Sequence, residues 1–132
     1  MADNSSLMRR YAEALQRRDY TSVDELLAED VVVHIFGRHP LAGDHRGRSG
    51  FAAFTRDFAD RTGVRMEMLG LEDILVGDQH GALLMRERAT RNGRTFEFDR
   101  AVVYRLAADH IAELWVYDSD QHGLDVFAWS DS

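Results

Sequence analysis

Polar side chains that interrupt apolar, strand-periodic runs mark where a small domain would place its chemistry. His34 breaks the β-branched run from Val31 to Ile35 and, by alternation, shares a face with Val32 and Phe36. Asp118 closes a run over residues 111–118 on the face of Leu114 and Val116. Glu87 alternates with Leu83, Met85 and Ala89, and Asp99 with Ala101 and Val103. A neutral imidazole at position 34 fits a general base working near neutral pH. A carboxyl group held among apolar neighbours has a raised pKa unless it is paired, so Asp118 fits an acid or an orienting partner for His34. Each residue also has a structural alternative. His34 would then be a buried histidine bonded to a backbone carbonyl, and Asp118 a strand-terminal cap beside Asp120. Glu87 and Asp99 would pair with arginines on neighbouring strands.

The elements that must position these groups follow from the pattern. Asn4, Ser5 and Ser6 offer N-caps for a first helix whose apolar face is Leu7, Met8, Tyr11, Ala12 and Leu15. Ser22 with Glu25 three residues on reads as a capping box opening a second helix with Val23, Leu26 and Leu27 buried. A strand over 31–35 leads into a loop punctuated by Gly37, Pro40, Gly43 and Gly47. Ser49 caps a third helix that aligns Phe51, Phe54 and Phe58, and Gly63 ends it. Four strands follow, over 64–76, 81–90, 95–106 and 111–118, separated by Gly77-Asp78, Asn92-Gly93 and Ala108-Asp109. Asn92-Gly93 is the pair favoured in a type I′ hairpin turn. Residues 121–129 fit a last helical turn.

Helices, one strand, a helix and then an antiparallel meander is an α+β order. It predicts one domain over 1–132, with three N-terminal helices packed on a curved, mostly antiparallel sheet that encloses a cone-shaped pocket.

Composition excludes several classes of function. There is no cysteine, which removes disulfides, thiolate metal sites and cysteine nucleophiles. Every one of the sixteen basic residues is arginine. Without a lysine amine there is no Schiff-base chemistry. The net charge of −7 and the scattered arginines leave no basic stripe for nucleic acid. No apolar run reaches membrane-spanning length and the N-terminus lacks an apolar leader, so a cytoplasmic protein is expected. The six histidines include no His-x-His or His-Glu-x-x-His spacing, and no glycine pattern fits a nucleotide loop. Neither a metal nor a cofactor is expected.

With its element order and two stretches, Val33-His34-Ile-Phe-Gly37-Arg-His-Pro-Leu-Ala-Gly43-Asp-His-Arg-Gly47 and Ile111-Ala-Glu-Leu-Trp115-Val-Tyr-Asp118-Ser-Asp120-Gln121, the chain resembles the NTF2-like superfamily. The resemblance is to its SnoaL-like and ketosteroid-isomerase-like branch, and it covers nearly the whole chain. That superfamily holds isomerases, polyketide cyclases, epoxide hydrolases, dehydratases and non-catalytic ligand binders. By resemblance, Tyr11 matches a first-helix tyrosine that donates to a developing oxyanion. His34-Ile35 stands where the isomerases carry a general-base carboxylate, with the His34 face turned to the cavity. The same comparison turns Asp99 inward and puts Ala101 at the place of the isomerases' protonated aspartate. Arg86-Glu87-Arg88 replaces the Arg-x-Asp of the epoxide hydrolases.

The resemblance implies cofactor-independent acid–base catalysis: isomerisation, cyclisation or dehydration of a small hydrophobic, polyketide-like or steroid-like molecule. His34, Asp118, Asp99 and Tyr11 are the expected catalytic residues. Phe36, Phe54, Phe58, Glu87, Val103, Leu114 and Val116 are the expected substrate contacts. It also implies a homodimer through the outer sheet face, where Trp115 and Tyr117 lie. The alternatives are a non-catalytic binder with the same pocket, or an interaction domain that uses the outer face.

Overall fold

The computed structural model describes residues 3–130. Helices α1 (Asn4–Gln16) and α2 (Tyr20–Leu26) precede strands β1 (Leu27–Ile35) and β2 (Gly43–Arg46). Helix α3 (Gly47–Thr62) follows, then strands β3 (Arg65–Val76), β4 (His80–Arg91), β5 (Arg94–Ala107) and β6 (His110–Asp118), and finally helix α4 (Gln121–Trp129). The six strands form one curved, unclosed sheet in the order β2-β1-β6-β5-β4-β3. The helices cover one of its faces, which is the expected α+β cone. Among the described residues no helix is long and apolar enough to cross a membrane.

The meander lies where the pattern puts it, and its turns show why. Asn92 and Gly93 both have positive φ, 52° and 76°, as a type I′ turn requires. Ala108 and Asp109 adopt the same left-handed pair, at 51° and 65°. What the pattern did not show is the other half of the sheet. β1 runs parallel to β6, and β2, read as loop, pairs antiparallel with β1 and forms an edge.

Three helix starts also differ. Asp3, not Asn4, Ser5 or Ser6, caps α1, accepting from the Ser5 and Ser6 amides at 3.0 and 3.3 Å. Asn4 instead donates to the Gly77 and Asp78 carbonyls, tying α1 to the β3–β4 turn. Asp19 caps α2 by accepting from the Ser22 amide and hydroxyl, so that helix begins before the capping box. α3 starts at Gly47 with no side-chain cap, whereas Gly63, in the left-handed region, ends it as expected.

The core joins the α1 face to the covered sheet face. Leu7, Met8, Val31, Val33, Leu83 and Ile111 are fully buried. Each such side chain contributes roughly 1.5–3 kcal/mol relative to remaining exposed. The approach is close: a Cβ on Gly81 would lie 2.7 Å from the Met8 sulfur. That contact fixes α1 over β4 and thereby fixes Tyr11, one turn further along.

Candidate active site

Between the helices and the sheet lies a cavity of about 290 Å³. Phe51, Phe54 and Phe58 of α3 and Leu124, Ala128 and Trp129 of α4 form its helical walls. Met85 and Glu87 of β4, Arg100, Val102 and Tyr104 of β5, and Leu114, Val116 and Asp118 of β6 form its sheet wall.

One charged row crosses that apolar wall. Antiparallel register places Arg100 opposite Asp118 on one side and Met85 on the other. Glu87 lies one inward step from Met85 and pairs with Phe98. The Arg100 Nε and Nη2 donate to the two Asp118 oxygens at 2.7 and 3.2 Å. Its Nη1 reaches Glu87 Oε1 at 3.8 Å, an ion-pair distance without a hydrogen bond. The Asp118 and Glu87 side chains are only 4% and 8% exposed, and that of Arg100 18%. Burial pushes the Glu87 carboxyl up from its ordinary value; Arg100 opposes this, and the Asp118 and Glu67 charges add to it. Burial pulls the Arg100 guanidinium down, but Asp118 and Glu87 outweigh it, so Arg100 is held firmly charged.

At the α1 end of the cavity stand two phenols. Tyr11 and Tyr104 meet edge to face, 5.1 Å between ring centres, and their hydroxyls hydrogen-bond. Burial pushes Tyr11 up to about 12 and Tyr104 well above its ordinary value, so both remain neutral donors. At the other end, the loop after β1 is fastened to α4. Asp125 accepts from the Arg38 amide and from Gln121 Nε2, both at 2.8 Å. A Cβ on Gly37, where φ is +122°, would sit 2.8 Å from those same carboxylate oxygens, so glycine is required there. His39 stacks on Trp129 at 5.4 Å. Its Nδ1 accepts from the Leu41 amide, and its Nε2 faces the Phe36 carbonyl at 3.2 Å with an Asp125 oxygen 4.0 Å away.

The structure therefore brings together Tyr11, Glu87, Asp118, Leu114, Val116, Phe36, Phe54 and Phe58 around one cavity. It does not bring His34, Asp99 or Val103 there. Leu27, Val31 and Val33 are the buried residues of β1, so His34 points to the outer face. There its Nδ1 meets Asp44 at 2.7 Å, its Nε2 meets Glu113 at 2.5 Å, and its ring stacks on Trp115. The alternation was right and the choice of face was wrong. On β5 the buried residues are Phe98, Val102, Tyr104 and Leu106, so the inward set is the one that contains Arg100. Asp99 faces out and pairs with Arg86 at 3.0 Å, and Val103 lies outside, with Val102 lining the cavity in its place. Phe36 reaches the rim because β1 ends at Ile35 and the chain turns at Gly37; it also stacks on Tyr117.

Arg100, Tyr104, His39, Gln121 and Asp125 escaped the sequence reading. A signal for the first two was present: Phe98, Val102 and Tyr104 are larger and more apolar than Asp99, Ala101 and Val103. Their phase therefore had the stronger claim to the inside. Among the described residues, no group of three or more histidines and carboxylates is placed to hold a metal.

The profile of the SnoaL-like domain matches residues 8–114, most of the chain. The protein belongs to the SnoaL-like family. Uncharacterized proteins of Mycobacterium tuberculosis and Mycobacterium bovis are 29% identical to it over 130 residues, covering 96% of this chain and 98% of each relative. Among solved structures, Bal32a from a soil-derived mobile gene cassette superposes with a TM-score of 0.81 at 25% identity, covering 95% of both chains. A Mesorhizobium loti protein inferred to be a SnoaL-like polyketide cyclase gives 0.71 at 19%, covering 86% of this chain and 97% of that one. TerC, co-crystallised with polyporic acid, gives 0.79 at 12%, covering 94% and 97%. These likenesses place the chain in the NTF2-like superfamily by fold.

Proposed function

We propose that this SnoaL-like protein is an acid–base catalyst acting on a small hydrophobic molecule bound in the cone. The observation that carries this reading is the buried Glu87–Arg100–Asp118 row opening onto an otherwise apolar cavity. A carboxyl group whose proton is favoured by burial, beside a second carboxyl group paired with a guanidinium, fits an acid and a base in one site. Asp118, held by the guanidinium, is the base and takes a proton from a carbon beside a carbonyl. The electron pair moves onto the carbonyl oxygen, which receives a hydrogen bond from the Glu87 carboxyl. Return of the proton from Asp118 to another carbon completes an isomerisation; attack of the enolate carbon on a second carbonyl, whose oxygen takes that proton, gives cyclisation, and departure of a β-hydroxyl as water with that proton gives dehydration. The hydrogen-bonded Tyr11–Tyr104 pair has one phenol proton left to donate to a second polar group. Likeness to the inferred cyclase from Mesorhizobium loti supports the reaction type, and TerC supports an organic occupant.

The test is enolisation itself. With 2-tetralone in D2O, the protein should accelerate exchange of the protons alpha to the carbonyl, followed by NMR. Asp118→Asn should lower that acceleration by about 10²-fold or more. Binding of 2-tetralone with no acceleration would remove the catalytic reading. It would leave a non-catalytic binder, which one observation favours: both Asp118 oxygens are already engaged by Arg100.

The same proposal includes a homodimer across the outer sheet face. Trp115, Val103 and Leu84 are half-buried there, Tyr117 is 47% exposed, and a second copy would cover them. Sedimentation equilibrium showing a monomer would refute it.

A further inference from the structure

The charges lining the cavity do not balance, and this bears on which molecules it admits. Beside the Glu87 carboxyl, which burial keeps in favour of its proton, two carboxylates, Asp118 and Asp125, line the cavity together with one arginine, Arg100. Arg100 is already committed: two of its nitrogens bond Asp118 and a third lies 3.8 Å from Glu87. His39 offers a ligand anion no open nitrogen: its Nδ1 accepts from the Leu41 amide, and its Nε2 faces the Phe36 carbonyl at 3.2 Å and Asp125 at 4.0 Å. Asp125 has only an amide N–H and the Gln121 side-chain amide as hydrogen-bond donors, and its side chain is 12% exposed. Arg61 lies over the Trp129 ring and does not line the cavity. Phe51, Phe54 and Phe58 bring aromatic rings to the wall, and an aromatic ring attracts a cation and not an anion to its face.

We infer that the cavity selects uncharged or cationic aromatic molecules and rejects anionic ones of the same shape. A ligand carboxylate would lose its hydration among carboxylates and ring faces and find no unpaired guanidinium in exchange. A carbonyl or hydroxyl group finds a donor in the one phenol proton that the Tyr11–Tyr104 bond leaves over, and another in the second amide proton of Gln121. A protonated amine finds Asp125 and the rings. The substrate class is thus an aromatic or polycyclic molecule that bears a carbonyl, hydroxyl or amine and has no ionised acid. This rests on the reading of the cavity as a small-molecule site and adds a charge rule to it.

Three probes of one shape test the rule: 2-naphthylmethanol, 2-naphthylmethylamine and 2-naphthoate, each titrated calorimetrically against the full chain at neutral pH. The alcohol and the amine should bind at least tenfold more tightly than the carboxylate. Asp125→Asn should tighten 2-naphthoate several-fold and weaken the amine, while the alcohol changes little. Equal or tighter binding of 2-naphthoate by the unaltered protein would overturn the inference while leaving the small-molecule site intact. Failure of all three probes to bind would overturn that site and the inference with it. The comparison within the unaltered protein decides the matter even where the variant folds poorly.

Discussion

On the cavity face of the sheet, Arg100 lies between Asp118 and Glu87; on the outer face, His34 lies between Asp44 and Glu113. Each row sets one nitrogen-bearing side chain between two carboxyl groups carried by neighbouring elements. The surroundings differ. In the inner row the carboxyl side chains are 4% and 8% exposed, and in the outer row 48% and 21%. The outer row is open to water, and hydrogen bonds from His34 and then Arg105 hold Glu113 below its ordinary value. Burial has the opposite effect on Glu87. One arrangement of charges thus yields a strand fastening on one face and an acid with an unusual proton on the other.

The sharpest way to break the comparison is to remove each central side chain. Arg100→Met leaves two buried carboxyl groups without their partner and should cost about 3–5 kcal/mol in urea unfolding. Adding Asp118→Asn and Glu87→Gln to that variant should recover much of the loss, because the cost lies in the stranded charges.

Next comes the proton on Glu87. Its folded-state pKa is raised above the ordinary 4.5, so the unfolded chain gives up this proton at lower pH than the folded one does. The Glu87 contribution to stability therefore falls as pH rises from 4.5 through the folded value. Glu87→Gln removes that fall. Relative to the unaltered protein, it should gain stability on the order of 1 kcal/mol across this window, read from urea midpoints at several pH values. A difference that does not vary with pH would mean Glu87 is not the displaced group.

His34 carries the opposite pH signature. Burial lowers its pKa, but hydrogen bonds and charges from Glu113 and Asp44 raise it overall above 6.5. Its stabilising contribution is full below 6.5 and is lost as pH rises through the folded value. His34→Gln should flatten that loss, with an effect no larger than about 1 kcal/mol for a row this open to solvent. An NMR titration of the His34 ring checks the sign. Binding of ligands in the cavity should survive the substitution.

Smallest of all is Asp99→Asn. Asp99 is exposed and joins Arg86 in a surface ladder that also holds Arg88 and Glu97. The change should stay within about 0.5 kcal/mol and leave 2-tetralone exchange untouched.

The contrast between the faces also explains what could be read in advance. Helix-periodic faces, the Gly63 stop and the Asn92-Gly93 turn are local signals, and the α+β order followed from them. Strand alternation likewise grouped Glu87 with Met85, and Asp118 with Val116. It could not say which group of a half-buried strand faces the helices, since period two is symmetric between the faces. On β6 the choice fell correctly. On β1 and β5 it followed the resemblance rather than the bulk of Val31, Val33, Val102 and Tyr104, and placed His34, Asp99 and Val103 inside. Arg100 was hidden for a further reason: a lone arginine in a strand reads as surface until its two partners, each on a neighbouring strand, are known. Asp125 and Gln121 needed the fold itself, because they act on a loop more than eighty residues earlier.

The parallel contact between β1 and β6 has a consequence for how the protein comes to exist. The first strand made must wait for the last one before its second edge is covered. During synthesis at roughly 5–20 residues per second, that interval is on the order of ten seconds. Until β6 emerges, the nascent sheet is split and the row that carries Asp118 is incomplete. Release of a chain stopped before residue 110 should yield an aggregation-prone species with an open strand edge, and refolding of the full chain should be slow for its length.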